Sequence, residues 1–112
     1  MPNNKQLARE LVSLFNDEYF PKISHSNDES NLETRIEVYM SISFEGLSTP
    51  ILTGKKVADF SVYSKAITER DYANEAKIYW LDRDFSKKYA PPVMNFLFDQ
   101  KVKITGVSTS MQ

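Results

Sequence analysis

The chain contains no cysteine. That removes disulfide bonds, thiolate zinc sites and a cysteine nucleophile together. It has a single histidine, His25, so a serine nucleophile has one imidazole to draw on, and no Gly-x-Ser-x-Gly elbow is present to hold it. Basic residues are not in excess: 14 Lys/Arg stand against 15 Asp/Glu, for a formal charge of −1. This argues against a generic polyanion binder. No apolar run approaches the roughly 18 residues that span a bilayer. The opening residues, Met1 to Gln6, lack the apolar core of a leader peptide. The expectation is a soluble, cytoplasmic protein with no membrane association.

At 112 residues the length fits one domain, 1–112. Its clearest signal lies between Glu33 and Glu45. Ile36, Val38, Met40, Ile42 and Phe44 take the even positions, while Arg35, Glu37, Ser41, Ser43 and Glu45 take the odd ones, with Tyr39 mixed. Alternation of this kind is a strand with one greasy and one wet face. A helix over 5–20 is expected to cover it. Leu7, Leu11, Leu14, Phe15 and Tyr19 recur at spacings of three and four, Asn3 or Asn4 can cap its start, and Pro21 stops it.

The run Ser24 to Asn31 has no apolar residue and reads as an exposed loop, with His25 solvated within it. Gly46 and Gly54 bracket a connection that contains Pro50 and the apolar Leu47, Ile51 and Leu52. Gly54-Lys55 is not a phosphate loop, because Lys56 stands where a magnesium-binding hydroxyl belongs. A second strand follows over 55–64, with Ala58, Phe60 and Val62 on one side.

Residues 68–83 are harder to read. Thr68 and Asp71 resemble a helix start, and Tyr72, Ala76, Tyr79, Trp80 and Arg83 fall near one helical face, so a helix is favoured. The competing reading makes 76–82 a strand buried on both sides. Pro91-Pro92 then opens a short apolar helix to Asp99, and 101–108 closes the chain as a strand, with Gly106 a candidate bulge. The expected fold is α+β in two layers: a small, mainly antiparallel sheet with an N-terminal helix and C-terminal helices on one face, in the order α-β-β-α-α-β. Similar layouts occur in small viral assembly subunits, immunity proteins and phage inhibitors, an analogy of layout that carries no function.

Catalytic signals are weak. Asp82 and Asp84 flank an arginine and lack the further oxygen ligands a hard cation needs. No metal or cofactor is implied, and the expectation is a non-enzymatic protein. Aromatics are the stronger signal: nine of the 14 fall between Phe60 and Phe98, interleaved with Lys and Arg. This pattern suits a protein interface, where aromatic and arginine anchors dominate, or single-stranded nucleic acid, where rings stack on bases. Acids at 69, 71, 75, 82 and 84 oppose phosphate and favour protein, either another chain or a copy of this one. The candidate interaction residues are Leu47, Ile51, Leu52, Tyr63, Arg70, Tyr72, Tyr79, Trp80 and Arg83. The first 54 residues carry four bases against eight acids, and the remainder ten against seven, a polarity suited to head-to-tail contact.

Overall fold

Two helices lie against one face of a five-stranded sheet in a computed structural model that describes residues 3–26, 32–41, 54–66, 68 and 72–110. The order is α1 (Asn4–Val12), β1 (Tyr19–His25), β2 (Glu33–Met40), β3 (Lys56–Ala66), β4 (Tyr72–Trp80), α2 (Arg83–Asp99) and β5 (Lys103–Thr109). Spatial order follows chain order. Neighbouring strands are antiparallel except β4 and β5, which run parallel because α2 carries the chain back between them. The α+β, two-layer architecture therefore stands.

The core is set by register. Ile36 lies opposite Phe60, and Phe60 opposite Ile78. In the next row Val38, Ala58 and Trp80 align, and the small Ala58 leaves room for the indole, which meets the Phe60 ring edge-on at 5.4 Å. Leu7, Ala8 and Leu11 of α1 are fully buried against this layer, one face of a helix whose N-cap Asn3 accepts from the Gln6 amide at 2.8 Å. From α2 come Phe85, Tyr89, Val93 and Leu97, spaced by four. Phe15, Tyr19, Phe60, Trp80, Phe85 and Tyr89 form one connected ring cluster between the layers.

Three expectations are corrected. The first helix ends at Val12 rather than Phe20, and Tyr19 begins a strand that includes Pro21, Ser24 and His25. Proline is tolerated because β1 is an edge and has a neighbour on one side only. The favoured helix over 68–83 is absent, since Tyr72–Trp80 is a strand. Ala76, Ile78 and Trp80 point into the core while Lys77 and Tyr79 point out, so the burial alternates by two and tertiary pairing with β3 and β5 overrides helix propensity. The short helix expected from Pro91 instead starts at Arg83. Pro91 and Pro92 sit mid-helix with exposed side chains, so the hydrogen bonds they forfeit fall on the solvent side.

The strand expected to 45 is described to Met40, and the positions 42–53, with Ile42 and Phe44, lie outside the described residues. The closing strand is present, and its pairing with β4 skips Thr105 while Gly106 stays paired with Lys77, so the irregularity falls one residue before the glycine. Gly54 is required where it stands: a Cβ there would lie 1.7 Å from the Met40 carbonyl oxygen. No helix among the described residues is long and apolar enough to cross a membrane.

Candidate functional site

Both helices occupy one side of the sheet, so among the described residues strand alternation leaves the other side uncovered. Its centre is a grid of nine side chains. One row reads Glu33, Tyr63, Glu75; the next Arg35, Ser61, Lys77; the third Glu37, Asp59, Tyr79. Ser61 is the smallest of the nine and sits in the middle, so the surface dips there. The dip is a shallow depression of about 370 Å³ walled by Arg35, Asp59, Lys77 and Tyr79, adjoining a smaller one of about 280 Å³ beside Glu33 and Tyr63.

Much of this face is held in place by its own charges. Arg35 grips Asp59 with two parallel hydrogen bonds, Nε to Oδ1 at 3.0 Å and Nη2 to Oδ2, a geometry that fixes the guanidinium plane. Lys56 bridges Asp59 at 2.7 Å and Glu37 at 3.0 Å, and the Tyr39 hydroxyl donates to Glu37 at 2.9 Å. The bond from Lys56, then that from Tyr39, holds the Glu37 carboxyl below its usual range. Partial burial pushes Asp59 upward, but the bonds from Arg35 and Lys56 outweigh it and its pKa is lowered. Arg35 is raised by its bond to Asp59. Tyr39 is raised by its bond to Glu37.

Tyr63 reaches sideways. It stands on β3, yet its hydroxyl lies 2.7 Å from the Thr105 Oγ1 of β5, so the side chain crosses β4 between Glu75 and Lys77. Glu75 is thereby left only 7% exposed. Lys77 makes no ion pair among the described residues and stands exposed beside the dip.

The sequence-predicted residues divide. Tyr63 and Tyr79 share the open face, with Tyr79 39% exposed. Trp80 is a core residue, 2% exposed on the opposite face, and is unavailable to a partner. Arg83 is exposed at the first turn of α2, in the other layer. Tyr72 opens β4. Leu47, Ile51, Leu52 and Arg70 lie outside the described residues. Sequence reasoning misses Arg35, Glu37 and Asp59 and reaches Lys77 only as one of the cations interleaved with the aromatics. The available signal was the polar half of each alternation, which was treated as a solvated remainder once the apolar half had been assigned to the core.

The groups weighed for chemistry have structural work. Asp82 is the N-cap of α2, accepting from the Phe85 amide at 2.9 Å and pairing with Lys55 at 3.0 Å. The amide, then Lys55, lowers its pKa. His25 ends β1 with Nδ1 2.9 Å from Thr34 Oγ1. It lines an open pocket of about 330 Å³ near the start of α1, beside which Asn4 ties the Leu32 carbonyl to Ser64. No group of three or more metal-ligating side chains occurs among the described residues. The sequence matches no protein-family model and no curated protein, and the fold matches no solved structure.

Proposed function

We propose that this protein is a non-enzymatic interaction module that binds another protein through the open face of its sheet. One observation carries the reading: among the described residues the five strands are covered on one side only, and the bare side presents an ordered array rather than loose polar chains. Arg35, Lys56, Glu37 and Asp59 are already restrained by one another, so a partner meets them with little side-chain entropy left to lose. Tyr79 and Lys77 border the dip over Ser61, where an aromatic or acidic side chain of a partner fits. Tyrosine and arginine are the residue types that most often anchor such contacts.

Single-stranded nucleic acid is the alternative, since Phe20, Tyr39 and Tyr79 are flat groups on a sheet that also carries Lys22, Lys77 and Lys103. Against it, Glu33, Glu37, Asp59 and Glu75 lie in the same surface, and Arg35 and Lys56 are engaged with two of them. The test is affinity capture with the wild-type chain beside a Lys77→Glu/Tyr79→Ala variant of equal melting temperature, with labelled oligonucleotides titrated in parallel at low salt. A protein retained by the wild type and lost by the variant supports the proposal. Identical retention contradicts it, and oligonucleotide binding that weakens steeply with salt replaces it with the alternative.

A further inference from the structure

The two edges of the sheet differ. Edge strands expose unpaired amides and carbonyls, and natural edges are usually blunted by proline or charge. The β1 edge has both, Pro21 within the strand and the exposed Lys22 beside it. The β5 edge has no proline and a single charge, Lys103, at its start. In place of charge it offers apolar surface. Val107, paired with Ile78, and Ile104, paired with Ala76, both face the helical layer. Val107 is nonetheless 50% exposed. Above the start of the strand stands Phe98 from the last turn of α2, 79% exposed, the most exposed large apolar residue of the described chain. Phe98, Val102 and Ile104, together with Asp99, Lys101 and Lys103, line an open groove of about 650 Å³ at the start of this strand.

We infer that β5 pairs antiparallel with the β5 of a second copy, across a two-fold axis at Val107 normal to the sheet. Among the described residues no strand pairs with the outer side of β5; an open ladder is completed by another strand, and β5 fits itself. The axis brings Val107 against its own counterpart, Gly106 against Ser108 and Thr105 against Thr109, and Lys103, the one charge of β5, lies beyond this paired span, so no like charges face each other. It also keeps both helical layers on one side, where the half-exposed Val107 side chains of the two copies cover each other. Because β1 is blunted, growth stops after one contact, and the product is a closed dimer with a continuous ten-stranded sheet rather than a fibre. The surface is distinct from the open face, and the two proposals fail separately.

The absence of native cysteine allows a clean test. Light scattering on the intact chain across a dilution series is expected to give twice the 12.9 kDa chain mass. Val107→Cys is expected to oxidise to a disulfide-linked dimer well before Phe20→Cys, a control on the β1 side. Val107→Lys is expected to raise the dimer dissociation constant by about tenfold or more while leaving the melting transition of the monomer intact. A monomer up to the solubility limit overturns the inference. So does a dimer that survives Val107→Lys, or one that cross-links equally through Phe20→Cys.

Discussion

Tyr79 and Trp80 are consecutive on β4 and belong to different parts of the molecule. Trp80 turns inward to meet Phe60 and Phe85. Tyr79 turns outward beside Asp59 and Lys77. The inner face is held by apolar burial and ring packing, with few choices of side chain at each position. The outer face is held by paired charges, which contribute little to stability near water but fix a pattern. One strand thus serves two ends, and the same substitution has opposite consequences one residue apart.

The largest expected effect is on the inner face. Trp80→Ala removes a fully enclosed indole and should cost about 3–5 kcal/mol, seen as a large drop in the urea midpoint. Gly54→Ala comes next, because its Cβ meets the Met40 backbone, which cannot swing aside. A loss of about 1–3 kcal/mol is expected in the same assay. Asp82→Ala removes the α2 cap and should cost about 1 kcal/mol.

Acid sharpens the contrast from the charged side. Glu37, Asp59 and Asp82 titrate below their ordinary range when folded. They bind protons more weakly folded than unfolded, so their contribution is complete above the unfolded carboxylate range, about pH 4, and is lost as pH falls through the lower folded values. Melting temperature should decline below about pH 5, and the decline should be shallower in Asp59→Asn.

The smallest effect runs in the stabilising direction. Lys101 follows α2 with φ of 58°, a left-handed position that costs a side chain about 1 kcal/mol. Lys101→Gly should raise the midpoint slightly.

The layers and most strands were legible in the sequence because Ile36, Val38, Phe60 and Val62 alternate by two without interruption. Two segments were not. Leu14, Phe15 and Tyr19 continue the helical spacing of Leu7 and Leu11, and nothing local says that the chain turns at Ser13 and pairs with β2. In 72–80, Ala73, Glu75, Ala76 and Lys77 are good helix formers, and only the partners on either side decide for a strand. The site was half legible for a related reason. Tyr79 stood out as an aromatic among charges, and Trp80 stood out equally, since composition gives no face. Face follows from register, and register from the strand that local propensity disguised. The cross-strand company of Arg35, Ser61 and Lys77, far apart in the chain, exists only once β2, β3 and β4 are aligned.

The most direct test of the division between faces is the urea unfolding of Tyr79→Asp, followed by the emission of the single tryptophan. A charge placed on an uncovered face predicts a cooperative transition within about 0.5 kcal/mol of wild type, with Trp80 shielded before unfolding. A loss above about 2 kcal/mol, or an exposed tryptophan in the native state, would show that the outer face is part of the core and contradict its role as a surface kept free for a partner.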